Sequence, residues 1–241
     1  MNTSGIMKFK LLKEVFLFII TLNINSMSAQ MYTTLTEQQQ GIVTISALTT
    51  TGDLEHLKVE LNTALDAGVT INEIKEIMVQ LYAYCGFPRS LNALGTFQVV
   101  LEERASKGIT DSLGKEIILE KDTTDKYEQG RKVLEALTGI PQAKPASGFG
   151  EFSPRIDAFL KEHLFADIFD SDVLTYQQRE MVTIAALASM DGVAPQLQAH
   201  IGMGMNTGIT KNQLTEIFDL IEKHIGKNQA DIARAVLAKI K

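Results

Sequence analysis

Apolar residues recur every three or four positions along much of this chain. Between 71 and 81 they fall at Ile71, Ile74, Ile77, Met78 and Leu81, and between 214 and 221 at Leu214, Ile217, Phe218 and Ile221. Such spacing gathers them on one face of a helix. Strand-like alternation flanked by hairpin turns is missing, so the pattern predicts an all-α fold. Four helix starts carry the spacing of a capping box: Thr36 with Gln39, Thr70 with Glu73, Thr175 with Gln178 and Thr210 with Gln213. Gly68 and Gly208 stand two residues ahead of two of these starts, where a glycine ends the preceding helix.

The pattern occurs twice. "LTEQQQGIVTISAL" at 35–48 returns as "LTYQQREMVTIAAL" at 174–187, and after a one-residue slip "ALDAGVTINEIKEIM" at 64–78 meets "GMNTGITKNQLTEIF" at 204–218. A repeat of this length predicts two pseudo-symmetric helical units packed together. We place the first at 31–105, a connection at 106–122, and a second, more complete unit at 123–241. The second unit carries extra helical material at its front: a helix in "TTDKYEQGRKVLEALTG" (123–139), a Pro/Gly-rich linker in "IPQAKPASGFGEF", and a helix opening at Ser153 as N-cap with Pro154 in first position.

Residues 1–29 follow another logic. Lys8, Lys10 and Lys13 precede an apolar run from Val15 to Leu22 and the small polar stretch "NINSMSAQ", the layout of a secretory signal peptide; the run is too short for a stable membrane span. The expectation is an exported protein, periplasmic or secreted, with Met1 or Met7 as start and no membrane attachment after cleavage. Removing Lys8, Lys10, Lys13 and Glu14 takes away a net +2, so the chain's formal charge of -6 becomes -8. That acidic balance offers no field for nucleic acid. With one cysteine, Cys85, no intramolecular disulfide staples the fold. The four histidines and Cys85 form no close-spaced cluster, so no metal or other cofactor is expected.

One set of residues points to a family. Arg179-Glu180-x-Val-x-x-Ala-x-Leu-Ala, His200 eight residues before Gly208, a Thr-capped helix, and Tyr84-Cys85-Gly86-Phe87-Pro88 in the first unit together resemble the carboxymuconolactone decarboxylase family, which also contains the alkylhydroperoxidase D proteins. The resemblance covers both units and implies an all-α fold and a homo-oligomer, here a trimer of two-repeat chains. It also implies one of two chemistries. The peroxidase branch needs Cys-x-x-Cys-x-x-x-His, with a reactive thiolate and a resolving partner. Counting back from Gly208 puts those thiol positions at Val193 and Gln196, and counting back from Gly68 puts them at Asp53 and His56, so no dithiol is present.

The decarboxylase branch needs only a positioned acid/base and a group for the substrate's charge. The resemblance gives His200 the acid/base role and Glu180 the role of orienting it, with Arg179 available to a substrate carboxylate. Neighbouring helix residues point about 100° apart, so Arg179 and Glu180 are not expected to share one pocket. The first unit has Gln40-Gly41 and Glu60 in these places, whereas the second has "KHIGKN" where the first has "AYCGFP". A composite site, with Tyr84 and Cys85 as substrate-binding residues beside His200 and Glu180, is therefore one expectation. Plainer roles stand beside it: His200 as a satisfied core histidine, Glu180 as a helix-pairing or capping group, Arg179 as a surface or interface charge, and Cys85 as a small side chain at a helix break. The sequence thus supports a lyase- or isomerase-type enzyme acting on a small lactone or carboxylated organic acid. A non-catalytic binding or scaffold protein is the first alternative, and a peroxidase using Cys85 with an external reductant the second.

Overall fold

A computed structural model describes residues 34–117, 125–144 and 146–240. The leader expected at 1–29 lies outside the described residues, as does part of the connection expected at 106–122. Among the described residues there are ten α-helices, one π-helix and no strand. We number them α1 (Glu37–Thr51), α2 (Leu54–Asp66), α3 (Ile71–Ser106), α4 (Lys126–Thr138), α5 (Phe149–Phe152), α6 (Pro154–Ala158), π1 (Phe159–Ile168), α7 (Tyr176–Ala188), α8 (Ala194–Asn206), α9 (Lys211–His224) and α10 (Lys227–Leu237). No helix among them is long and apolar enough to cross a membrane.

All four capping boxes close in both directions, at Thr36, Thr70, Thr175 and Thr210. Each satisfies two backbone donors that the first helical turn leaves open. Ser153 behaves otherwise: Pro154 starts α6, but the Ser153 side chain makes no capping bond, and after five residues the backbone widens into π1. The break at Gly86 falls where the Gly-x-Pro element predicts it, with φ 80° and ψ 160°, so α3 is two helices joined at a kink. A Cβ-bearing residue would be strained there.

The two units share one core. α1 and α7 pack against each other, α3 of the first unit packs on α7 of the second, and α9 of the second packs on α1 of the first. α1 and α7 are buried on every side, from Gly41 to Thr50 and from Arg179 to Ala188. Helices so placed need apolar or self-satisfied residues all round. Accordingly Ser46 and Thr50 return their hydroxyl protons to Ile42 and Ser46 carbonyls. The front of the second unit builds a smaller cluster of its own, in which Leu137, Leu164, Phe165, Ile168, Phe169 and Met203 join α4, π1 and α8. α4 and π1 approach so closely that a Cβ at Gly130 would meet the Lys161 carbonyl oxygen at 1.8 Å. Only glycine fits at that crossing.

Candidate active site

Glu180 sits on α7 and His200 on α8, two helices of the same unit. The His200 Nδ1 and Glu180 Oε2 are 2.8 Å apart, and both side chains are buried. Gly204, on the α8 face that meets α7, lets the two helices approach: a Cβ there would lie 2.9 Å from Ile184 Cδ1 and 3.0 Å from Ile209 Cδ1. An ionised carboxylate only accepts, so the proton of this bond belongs to Nδ1, which leaves Nε2 as the basic nitrogen. The ring of Tyr84, from the first unit, meets the imidazole edge-on at 5.9 Å between centroids. Glu180 Oε1 and the Tyr84 hydroxyl are both buried without a hydrogen-bond partner among the described residues. Burial, with the Glu180 charge adding to it, pushes the Tyr84 phenol well above its ordinary value, so Tyr84 is neutral here.

His200 opens onto a cavity of about 990 Å³ walled by Tyr82 and Ala83 of α3, by α4 with residues 140–143 and 146–149, by α6 and π1, and by α8 from Pro195 to Met203. Gln196 lines it one helical turn before His200, and Val193 is the residue at which α8 begins. In the second unit the positions that hold thiols in the peroxidase pattern therefore lie at the N-terminus of α8, Gln196 in the cavity lining and Val193 against the main core, and are filled by side chains without redox chemistry.

Three candidates sit elsewhere. Arg179 points away from Glu180 and is fully buried between the units, where it donates to Gln80 Oε1 (3.0 Å), Glu76 Oε2 (3.2 Å) and the Ser171 carbonyl (2.6 Å). Its guanidinium also lies over the Phe169 ring at 5.1 Å. The cation expected for a substrate carboxylate is thus an internal strut and does not line the cavity. Tyr84 stands behind the imidazole, while its neighbours Tyr82 and Ala83 reach the cavity wall. Cys85 is half-buried against the main core and outside the cavity lining. Burial pushes its thiol up, against the pull of Arg89, so the thiolate that peroxide chemistry needs is scarce.

The structure adds residues that sequence reasoning passed over. Asp157 and Lys161, one turn apart in the cavity wall, form a buried ion pair at 2.5 Å. The Tyr127 hydroxyl donates to Asp157 Oδ2 at 2.6 Å and accepts from Lys161 Nζ at 3.0 Å. Burial alone would raise the Asp157 carboxyl, but Lys161 and Tyr127 outweigh it and hold it below the usual value. The i, i+4 spacing of Asp157 and Lys161 was the available signal. Among the described residues, no group of three or more His, Cys, Asp or Glu is placed to hold a metal ion.

Fold and site together define an all-α protein of two fused helical repeats, whose second repeat holds a buried carboxylate–imidazole pair at a cavity wall. The chain belongs to the carboxymuconolactone decarboxylase family, whose model matches residues 23–98 and 154–239, more than half of the sequence. No curated protein matches the chain.

Proposed function

We propose that this protein is an acid/base enzyme of lyase or isomerase type, acting on a small lactone or carboxylated organic acid, with His200 as the proton carrier. The observation behind this reading is the placement of one imidazole: its Nδ1 is tied to buried Glu180, its Nε2 has no hydrogen bond among the described residues, and His200 lines the cavity. In that geometry Nε2 takes a proton from carbon next to a carbonyl, or returns one to the carbanion that CO₂ loss leaves. Glu180 stabilises the imidazolium that forms in between, and the Tyr84 ring restricts imidazole rotation from behind. Family membership supports the class of protein and leaves the reaction to experiment. Homo-oligomerisation belongs to the same proposal, supported by large apolar side chains left in solvent outside the cavity lining, among them Phe87, Leu91 and, at 92% exposed, Phe152.

The test is turnover of a panel of lactones and lactone acids by the wild-type chain and by His200→Ala. A positioned general acid/base contributes about 10²–10⁴ in rate, and a loss of that size is expected. Equal turnover by both would remove His200 from the mechanism, and no turnover with saturable binding would favour the binding protein.

A further inference from the structure

The lining of the cavity beside His200 offers little free charge to a ligand, and Arg155, which is outside the lining, lies over the ring of the wall residue Phe159 at 5.4 Å. The lining holds no arginine and one lysine, Lys161, which is fully buried. Lys161 Nζ is already bound by Asp157 Oδ1 at 2.5 Å and by the Tyr127 hydroxyl at 3.0 Å, and it lies 4.8 Å from the centre of the Tyr127 ring. Turning it toward a ligand carboxylate would strand Asp157, and a buried carboxylate without its partner is strongly unfavourable. His163, at the rim, is half-exposed and paired with Asp167 at 3.0 Å. Arg179 is committed between the units.

The uncharged polar groups of the lining are mostly occupied as well. Thr138 donates to the Leu134 carbonyl, and the Gln142 amide is bound to Thr138 and the Ile140 carbonyl. What remains for a ligand is His200 Nε2, the Gln196 amide one turn earlier on the same face of α8, and the hydroxyls of Tyr82 and Ser147. Leu134, Phe149, Phe159, Leu160, Leu164 and Met203 supply an apolar wall around them. A cavity of about 990 Å³ with few free polar groups in a mostly apolar lining accommodates a molecule far larger than a simple dicarboxylate.

We propose that the cavity takes an uncharged, largely apolar lactone, its ring carbonyl accepting from the Gln196 amide, the carbon beside that carbonyl facing His200 Nε2 and its alkyl substituent along the π1 wall, and that it rejects the corresponding carboxylates. This inference rests on the reading of His200 as the reacting group and narrows its substrate class to the neutral member. With no carboxylate to lose, proton transfer is the remaining chemistry. Nε2 removes a proton from the carbon next to a double bond of an unsaturated lactone, the electron pair spreads onto the carbonyl oxygen, and the same proton returns at the far end of the double bond. The net change is an isomerisation that consumes no second reactant.

Displacement of the uncharged dye Nile red from the purified chain tests the preference without any turnover. γ-Decalactone and its own ring-opened hydroxy acid share one carbon skeleton and differ in charge. The lactone is expected to displace the dye at about tenfold lower concentration or better, because burying an unpaired carboxylate costs far more than burying an ester. Ala199→Trp, which fills the cavity from an exposed position on α8, is expected to abolish dye binding while leaving the thermal midpoint near wild type. Equal or tighter binding of the hydroxy acid would overturn the proposal. So would dye binding that survives Ala199→Trp, or that disappears as the chain self-associates, which would give the apolar wall to a second copy. The two readings fail separately. A lactone preference with unchanged turnover in His200→Ala sinks the acid/base role alone, whereas a lost preference with inactive His200→Ala sinks only this substrate class.

Discussion

The two halves of the molecule make the same contacts with different residues. Arg179 of the second unit reaches Glu76 of the first, and Gln40, which occupies the place of Arg179 in the first unit, reaches Glu216 of the second, 3.4 Å away. Likewise His200 meets Tyr84 across the units, while Glu60, in the place of His200, meets His224, in the place of Tyr84, at 3.9 Å. In one half the cross-unit position holds an imidazole backed by a buried carboxylate. In the other the carboxylate and imidazole have changed sides, and the backing group is gone. Gly41 stands where Glu180 stands, and a Cβ there would already lie 2.9 Å from Ala64 Cβ. Duplication supplied two sites, and steric closure around Gly41 and Ala64 leaves one with the full pair.

The sharpest break in that comparison is at Arg179. Arg179→Met leaves Glu76 buried and unpaired, which costs about 3–5 kcal/mol, whereas the double variant Arg179→Met/Glu76→Met recovers most of the loss. Gln40→Ala, its counterpart, breaks two partly buried and long bonds, to the Leu35 carbonyl at 3.2 Å and the Glu216 carboxylate at 3.4 Å, strands no buried charge, and costs about 1 kcal/mol. Urea midpoints at unchanged slope measure all three. Equal losses at 179 and 40 would erase the asymmetry.

A smaller effect sharpens the comparison at the other pair. Burial holds His224 below its ordinary pKa, Lys223 and His56 push the same way, and Glu60 opposes them. A histidine that resists protonation when folded gains a proton more readily when unfolded. Its stabilising contribution is therefore complete above the ordinary histidine value of about 6.5, and it is lost as pH falls from there through the lower folded value. His224→Gln is expected to remove that part of the acid sensitivity and to leave stability at pH 8 nearly unchanged. Acid sensitivity that is identical in the variant would place the titrating group elsewhere.

Much of this architecture was legible because it rests on local rules. Capping boxes, the Gly86 break and the doubled apolar pattern each depend on residues within a turn or two of one another, and the structure places them where the spacing predicts. Family membership was legible from Arg179-Glu180, His200 and the Tyr-Cys-Gly-x-Pro element. What escaped is what depends on packing. The helix predicted from Ser153 becomes π1, a wider coil that no spacing rule signals. The direction of Arg179 followed from α3, and Glu76 and Gln80, which hold it, lie 103 and 99 residues away. The cavity was invisible because its wall is assembled from four separate segments, and its paired charges, Asp157 and Lys161, read as an ordinary solvated pair until their burial is known.

The central claim is that Glu180 fixes the His200 ring with Nε2 toward the cavity. Nitrogen-resolved NMR of the His200 imidazole tests it most directly. In the neutral imidazole a proton is expected on Nδ1 and none on Nε2, with γ-decalactone shifting Nε2 and with Glu180→Gln releasing the tautomer preference. A neutral imidazole with its proton on Nε2, or a ring whose nitrogens are the same in Glu180→Gln as in the wild type, would contradict the claim.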